Sequence, residues 1–293
     1  MQGQTIVLGT ATPGGGFPLY GGAFAEAVNA ADASLVVEPR NTKGSTENVP
    51  LLQSGALDIA LVQGEVANPA LAEPGSGLRI VAAMYSSPGM FVTKGDGPYR
   101  SIVDLVGRAV AFGAKGSGLT ILGRTVIDGL GLDADRDFKA VYLDKAGDGP
   151  LMVADGRVAA LWGAGIGWPG FTSVAASPPG ARFIVPDAAE IARILARHPF
   201  LKPLTAAAGS YPGQDAPIQS VGSWSYVLAR PGFDAQLAYR LARALHSAEA
   251  ALAQKLEQAR ETKVENTYKA APRTDLIHAG VLRYLTEIGI ARP

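Results

Sequence analysis

The sequence contains no cysteine among its 293 residues. That absence excludes disulfides, thiolate metal ligands and cysteine nucleophiles, and it suits an oxidising compartment, where an unpaired thiol would be a liability. The formal net charge is zero, with 26 basic and 26 acidic side chains, so no overall field favours nucleic acid or an anionic membrane surface. A charged ligand must therefore be recognised locally.

Long hydrophobic runs and clustered histidines are also absent. No apolar run approaches the ~20 residues of a membrane-spanning helix, and no signal peptide precedes the strand-like start TIVLG, which we interpret as a leader replaced by Met1. His198, His246 and His278 have no second histidine or carboxylate at ligand spacing, so we predict no metal site and no catalytic base. Ser117 lies outside a Gly-x-Ser-x-Gly elbow, which argues against a hydrolase.

The apolar residues, 47% of the chain, are enough for a large core in one or two domains. The short apolar runs TIVLGTA, LVVEPR and LDIALVQ alternate with helical periods near Leu19–Ala31 and Ser45–Ser54. This alternation is typical of a parallel α/β sheet. Two further strands, LRIVAAMY and GMFVTKG, lead to a repeat of the same plan, so a second lobe is predicted to begin near Lys94.

The second lobe has strands at FKAVYL, RVAALWGAG and ARFIVP, with helices near Pro150–Ala154, Pro169–Ala176 and Ala188–His198. A proline- and glycine-rich bridge, YPGQDAPIQ, then leads to the strand SVGSWSYVLAR. Amphipathic periodicity predicts a long helix over Asp234–Arg260 and a last helix over Thr274–Ile288.

Each lobe is predicted to begin with a strand, a glycine-rich loop and a helix. The two loops lie in the segments GTATPGGGFPLY and AFGAKGSGLT. Glycines let backbone N–H groups approach a ligand closely, and a helix N-terminus attracts an anion. One such loop alone fits a plain tight turn, and Gly14, Gly15 and Gly16 do not have the spacing of a dinucleotide fingerprint. The presence of two loops, one in each lobe, indicates anion binding.

Polar residues follow two more strands of the first lobe. In RNTKGSTENVP, Ser45 can cap a helix, and Pro50 is expected only in or near its first turn. Lys43 is a candidate to pair with a ligand carboxylate, although a solvated role is the alternative. Gln63 and Glu65 end the strand LDIALV on the side where open α/β sheets bind ligands, or else serve as simple caps.

Two tryptophans, Trp162 and Trp168, flank the segment GAGIG after another predicted strand. Aromatic rings beside glycines can form the wall of a pocket, and core packing is the alternative for each. Trp224 lies within an apolar strand and is predicted to belong to the core.

Taken in order, these segments resemble the solute-binding proteins of TRAP transporters of the TAXI type. The resemblance rests on GTATPGGGFPLYGGA, TKGSTENVPLLQSGALDIALVQGEV, FGAKGSGLT, YPGQ and the closing IHAGVLRYLTEIG. It covers essentially the whole chain, and the segment from Ser45 to Gln63 is the longest and most specific.

The resemblance implies an α/β fold of the periplasmic-binding-protein kind, type II. Each lobe would be a mixed, mostly parallel sheet flanked by helices, with lobe I at 1–93 and 221–293, lobe II at 94–220, a two-strand hinge and a ligand cleft between them. The implied protein is a periplasmic monomer without cofactor that captures a small organic acid or amino acid for a TRAP membrane permease. A periplasmic sensor module and an enzyme on the same scaffold are the alternatives.

The resemblance also implies ligand-binding residues. Its longest motif is matched by Ser45, Glu47, Asn48 and Gln63, and its GSG motif by Ser117 and Gly118. The sequence departs from the family at Gly16-Phe17, Lys43-Gly44 and Leu119-Thr120, so the ligands of the family are not carried over. Lys43 is a candidate to supply the cation that the family has near the position of Thr120. The predicted ligand-binding residues are Thr12, Gly15, Gly16, Phe17, Lys43, Ser45, Thr46, Asn48, Gln63, Lys115, Ser117, Gly118, Thr120 and Trp162.

Overall fold

The computed structural model of the chain describes residues 4–145 and 147–292. Strands and helices alternate through most of it, as the hydrophobic periodicity predicts. The elements in chain order are β1 (Gln4–Gly9), α1 (Gly16–Ala31), β2 (Leu35–Arg40), α2 (Ser45–Gln53), β3 (Ile59–Val62), α3 (Gly64–Ala72), β4 (Arg79–Lys94), β5 (Ala109–Gly113), α4 (Gly118–Gly129), β6 (Lys139–Tyr142), α5 (Asp148–Ala154), β7 (Ala160–Ala164), α6 (Pro169–Ala176), β8 (Ala181–Ile184), α7 (Ala188–Arg197), β9 (Lys202–Ala206), β10 (Ile218–Ala229), α8 (Ala235–Lys255), α9 (Val264–Ala270) and α10 (Ala279–Glu287).

The chain divides into two compact units. Unit 1 contains the described residues up to Thr12, then Phe17–Tyr85 and the described residues from Trp224 onward. Unit 2 contains Pro13–Gly16 and Ser86–Ser223. Apart from the short segment Pro13–Gly16, the chain passes from one unit to the other within β4 and again within β10. The predicted lobe boundaries at 93/94 and 220/221 lie in these same two strands.

Unit 1 is built on a sheet in which β1 pairs in parallel with β2 and β3, while β10 pairs antiparallel with β3. Successive side chains of β1 point to opposite faces: Ile6 and Leu8 pack in one core, with α1, α8 and α10, and Val7 packs in another, with α2 and α3. A hydrophobic core on each face makes this unit a three-layer α/β/α arrangement.

Unit 2 follows the same plan, with β5 parallel to β6 and β7, and with β4 antiparallel to β7 and β8. In β5, Val110 and Phe112 pack in one core with α4, and Ala111 packs in a second core with α5 and α6. Both units therefore contain mixed sheets, in which three parallel strands are joined by antiparallel strands and flanked by helices, and this confirms the predicted α/β class.

The structure differs from the predicted elements in four segments. LRIVAAMY and GMFVTKG are parts of the single strand β4, because Ser86 to Pro88 between them continue its extended backbone. Helices α3 and α9 and strand β9 were not predicted, since each is short and has weak periodicity.

Pro50, predicted in or near the first turn of α2, lies just beyond that turn, because a nine-residue helix can lose one backbone hydrogen bond and persist through packing. Two helix boundaries also differ. The predicted Asp234–Arg260 helix ends at Lys255 and is followed by a 3-10 turn over Glu257–Glu261. The predicted Thr274–Ile288 helix is a 3-10 turn followed by α10.

Candidate ligand-binding site

Three strand ends of unit 1 point to the same edge of its sheet. Because β1, β2 and β3 are parallel, their carboxyl ends lie together, and α1, α2 and α3 begin at that edge. Helix N-termini carry a positive partial charge and backbone N–H groups outside the helical hydrogen-bond pattern. This edge, which we call the unit 1 rim, therefore has the arrangement in which open α/β sheets bind anions.

Side chains of buried polar residues join the three strand ends of the unit 1 rim. The Asn48 side chain is 0% exposed, and its Nδ2 donates to the carbonyl oxygens of Thr10 and Leu61, each at 2.8 Å. The Thr42 hydroxyl donates to the Thr10 carbonyl at 3.1 Å, and the Thr10 N–H donates to the Arg40 carbonyl at 2.9 Å. Asn48, a predicted ligand contact, thus has a structural role within the rim.

Ser45 does not cap α2, contrary to the sequence expectation. The N-cap residue is Gly44, which makes no side-chain hydrogen bond, and its φ of 104° is readily adopted only by glycine. The Ser45 hydroxyl, 1% exposed, instead accepts a hydrogen bond from the backbone N–H of Gln63 at 3.0 Å. Ser45 therefore links the start of α2 to the end of β3.

Gln63 is the predicted residue with the clearest capacity to bind. Its side chain is 6% exposed, and its Nε2 has no hydrogen-bond partner within the described part of the chain. A buried amide donor is expected to be paired, so this one has an unused hydrogen-bonding capacity at the rim. Glu65, two residues on, is also buried, and its charge adds to burial in raising the pKa of Tyr226.

The other predicted residues of this region are accessible. Lys43 and Thr46 are exposed, and the Lys43 N–H donates to the Glu47 carboxylate at 2.5 Å. Lys43 has no ion-pair partner within 4.0 Å in residues 4–145 or 147–292. Its charge is therefore available near the start of α2.

The glycine-rich loop before α1 contains the remaining predictions for this end of the chain. Gly14 has a φ of 85°, which explains one of the three glycines, whereas Gly16 is buried as the first residue of α1. Thr12 and Gly15 are partly exposed, and Phe17 packs against the core of unit 1. The Phe17 position favours a packing role.

In unit 2 the corresponding loop joins β5 to α4, and Ser117 caps this helix. The Ser117 hydroxyl accepts from the Thr120 N–H at 3.2 Å and lies 3.1 Å from the Thr120 hydroxyl. The Thr120 hydroxyl donates to the Ala114 carbonyl at 2.7 Å, with the Phe112 carbonyl oxygen 3.0 Å away. Both hydroxyls form hydrogen bonds within the loop, and Thr120 is buried. This geometry favours the capping alternative.

Trp162 lies in the core of unit 2. It is 0% exposed, its Nε1 donates to the Leu119 carbonyl at 2.8 Å, and its ring centroid is 4.7 Å from that of Phe91. A side chain added at Gly89 or Gly123 would collide with the Trp162 ring. These contacts favour core packing over a pocket wall.

Lys115 is exposed in the same loop, and Gly118 is buried as the first residue of α4. Near Lys115, Arg124 contacts both the Asp135 carboxylate and the Tyr142 hydroxyl, each at 2.6 Å. The hydrogen bond from Tyr142, then Arg124 and Lys115, lower the pKa of Asp135. Sequence reasoning missed Arg124, although a cation one helical turn after GSGLT is a visible signal.

Tyr211 gives the YPGQ motif a structural explanation. Its hydroxyl donates to the Gly165 carbonyl at 3.0 Å and accepts from the Gly167 N–H at 3.1 Å. It thereby fixes the loop after β7, where both glycines have positive φ. The buried Ser223 hydroxyl in β10 was also missed, and it has no hydrogen-bond partner among the residues that the structure describes.

Metal-binding clusters and membrane-spanning helices are absent from the same described residues. Neither 4–145 nor 147–292 contains three or more His, Cys, Asp or Glu side chains placed to hold one metal ion. Likewise, no helix in these ranges combines the length and apolar character needed to span a bilayer.

Solved structures with this fold include three binding proteins. The periplasmic aliphatic sulphonate-binding protein SsuA from Escherichia coli is 18% identical with a TM-score of 0.53 over 99% of this chain and 84% of that chain. The alkanesulfonate-binding protein SsuA from Xanthomonas axonopodis pv. citri, bound to MOPS, is 16% identical with a TM-score of 0.52 over 100% and 86%. A substrate-binding protein of an amino acid ABC transporter is 14% identical with a TM-score of 0.50 over 86% and 99%.

This likeness confirms the predicted two-lobed periplasmic-binding-protein fold. The family match does not specify the TAXI type that the motifs resemble. Residues 8–289 match the profile of the NMT1-like family. Since this range includes nearly all of the chain, the protein belongs to the NMT1-like family.

Proposed function

We propose that this protein is the extracytoplasmic solute-binding subunit of a TRAP-type transporter of the TAXI kind. It captures a small carboxylate, such as an amino acid, a 2-oxo acid or another organic acid, and delivers it to a membrane permease. The family match and the fold support a solute-binding role without catalysis, and the ordered motifs from Ser45 to Gln63 support the TAXI type.

The observation that carries the proposal is the buried amide of Gln63. Its Nε2 has no partner within the described residues, and it lies at the carboxyl end of β3, beside the start of α3. An acid group that accepts a hydrogen bond from this amide would be near Lys43, which supplies a cation, and the N-terminus of α2. These donors suit a carboxylate because hydrogen bonds to charged groups are stronger than neutral ones.

The ligand can be identified directly. Native mass spectrometry of the purified protein would reveal a retained ligand, and a thermal-shift screen of amino acids, 2-oxo acids, hydroxy acids and alkanesulfonates would rank candidates. A ligand at a hundredfold excess over Kd should stabilise the fold by ~2.7 kcal/mol. Hits confined to sugars or cations would contradict the carboxylate proposal. Hits confined to sulfonates would mean that the ligand carries a sulfonate group, as in the names of two similar structures, and not a carboxylate.

Gln63 itself is tested by Gln63→Met, which keeps the length of the side chain and removes the amide. We expect affinity for the identified ligand to fall about tenfold, the loss of one hydrogen bond to a charged group. Stability without ligand should be unchanged or higher, because an unsatisfied buried donor is removed. Gln53→Met, at an exposed position near the end of α2, is the matched control. Unchanged affinity in Gln63→Met would remove this residue from the site.

The type of permease is a separate question, because one similar solved structure is the substrate-binding protein of an ABC transporter. Uptake into proteoliposomes that contain the cognate permease distinguishes the two types. We expect uptake to require an ion gradient and to stop when an ionophore collapses it. Uptake that requires ATP inside the vesicles would assign the protein to an ABC transporter.

A further inference from the structure

Two neighbouring cavities of unit 2 lie beside the carboxyl end of β4. The first, about 240 Å³, is at the amino ends of β5 and β7 and is lined by Lys94, Arg108 and Arg157. The second, about 310 Å³, lies between α5 and α6. Lys94 and Val153 line both cavities, so the two adjoin at these residues.

The first cavity is cationic. Arg157 pairs with Asp155 at 2.8 Å, but neither Lys94 nor Arg108 has an ion-pair partner within 4.0 Å in the described parts of the chain. Three cations against one carboxylate leave a net positive charge around the opening. The partly buried Tyr99 ring forms one side and adds an apolar surface beside the cations.

The second cavity is mainly apolar. Its lining includes Leu151, Val174, Pro178 and Pro179, and Leu151 is 64% exposed although it belongs to a helix that packs on the core. A large exposed aliphatic side chain at the mouth of an apolar cavity is shielded from water when a hydrocarbon chain binds there.

We propose that the two cavities together form a second binding site, for an amphipathic organic anion such as a medium-chain alkanoate. The acid group binds Arg108, Arg157 and Lys94 in the first cavity, where an arginine can contact a carboxylate with two parallel hydrogen bonds. The hydrocarbon chain passes Val153 and lies against Leu151 in the second cavity. This site uses none of the unit 1 rim residues and is therefore independent of the proposed solute site.

Octanoate is the probe for the acid end. Isothermal titration of octanoate into the full-length protein should give a Kd that rises about tenfold or more in Arg108→Gln/Arg157→Gln, since two charge-assisted contacts are removed. Arg193→Gln, an exposed arginine on α7 that lines neither cavity, is the matched control and should leave the Kd unchanged. Equal Kd values in all three proteins would overturn the proposal.

The apolar end is tested by chain length. From butanoate to hexanoate to octanoate, affinity should rise by up to about fourfold per methylene. Leu151→Ser should flatten this increase without changing the binding of butanoate. Leu19→Ser, at a similarly exposed leucine of α1, is the control and should leave the increase with chain length unaltered. A series without any dependence on chain length would contradict the assignment of the second cavity.

The unit 1 rim provides the remaining control, because octanoate is itself a carboxylate. Gln63→Met should leave octanoate binding unchanged while it weakens the solute of the proposed function. If Gln63→Met abolishes octanoate binding and the double arginine variant does not, octanoate binds at the unit 1 rim and the second site is refuted.

Discussion

Ser45 and Ser117 occupy the same place in two similar motifs, yet their hydroxyls do different things. Each serine follows a glycine and stands at the start of a helix, one in unit 1 and one in unit 2. Ser117 bonds to Thr120 in its own helix, so its contribution is local. Ser45 bonds to Gln63, 18 residues away, so it joins two elements.

The difference extends to the loops around the two serines. In unit 1, Asn48 and Ser45 fix the rim through bonds from side chains to the backbone of neighbouring strands. In unit 2, the loop after β5 is held by its own turn, and the loop after β7 is held by Tyr211 from a distant segment. A helix-start serine thus does not by itself show whether its hydroxyl caps, cross-links or binds.

The largest expected effect is that of Asn48→Ala on the stability of unit 1. The substitution leaves the Leu61 carbonyl without its Asn48 donor and removes one of two donors to Thr10, in a fully buried place. We expect the free energy of unfolding to fall by about 2–4 kcal/mol in urea denaturation.

Two variants sharpen this prediction. Asn48→Asp keeps the shape but turns the donor into an acceptor that faces two carbonyl oxygens, so it should destabilise at least as much as alanine. Gln53→Ala, at an exposed position of the same helix, should change stability by less than about 0.5 kcal/mol. If Asn48→Asp is tolerated, the contribution of Asn48 is packing and not hydrogen bonding.

The sequence predicts the architecture well because each β-strand with two buried faces leaves a strong signal. TIVLGTA and LDIALVQ correspond to β1 and β3, whose side chains alternate between two cores, and Pro169–Ala176 is predicted with its observed bounds. The missed elements α3, α9 and β9 are short and lie next to glycine, proline or polar residues. Their formation depends on tertiary packing, which local periodicity does not record.

The candidate site is less predictable, because sequence gives the position of a polar residue but not its partner. Asn48 and Thr120 lie in the first turns of α2 and α4, but their hydrogen bonds to backbone carbonyls of the preceding and neighbouring strands depend on the folded arrangement. Trp162 could equally form a pocket wall until Phe91 and Gly123 are seen against its ring. The capacity of Gln63 to bind a ligand becomes apparent only in the folded protein, where its buried Nε2 has no hydrogen-bond partner among the described residues.

Alanine substitutions should have smaller effects on stability, and these effects should differ between Ser45 and Ser117. Ser45→Ala leaves the buried N–H of Gln63 without an acceptor and should lower stability by about 1–3 kcal/mol. Ser117→Ala removes a helix cap and should lower stability by about 1 kcal/mol. We expect ligand affinity to be unchanged in Ser117→Ala and reduced in Ser45→Ala, because Ser45 positions the backbone next to the Gln63 amide.

Denaturation curves and titration calorimetry with the identified ligand measure both quantities. Ser45→Thr serves as a control that retains the hydroxyl, and it should restore much of the affinity that Ser45→Ala removes. A tenfold drop in affinity in Ser117→Ala, with normal stability, would reverse the comparison and return Ser117 to the binding site.

The smallest effect that we predict is a pH dependence from a buried histidine of unit 1. The imidazole of His278 lies 3.0 Å from the Phe233 carbonyl through Nε2 and accepts from the Gly280 N–H through Nδ1 at 3.2 Å. Burial lowers the pKa of His278, and the nearby Arg79 adds to this, while the Phe233 hydrogen bond and Asp234 oppose it. A proton on Nδ1 would face the Gly280 N–H, so the folded state favours the neutral ring.

The sign of the pH dependence follows from the lowered pKa. As pH falls below about 6.5, the unfolded chain protonates His278 before the folded protein does, so stability is complete above that pH and is lost toward the lowered pKa. Urea denaturation between pH 7.5 and 5.5 should therefore show a shallower decline in His278→Asn than in the natural protein. His246→Asn, at an exposed histidine bonded to Tyr284, is the control and should retain the natural slope. An identical slope in His278→Asn would mean that other groups produce the pH dependence and that the His278 ring accepts a proton in the folded protein.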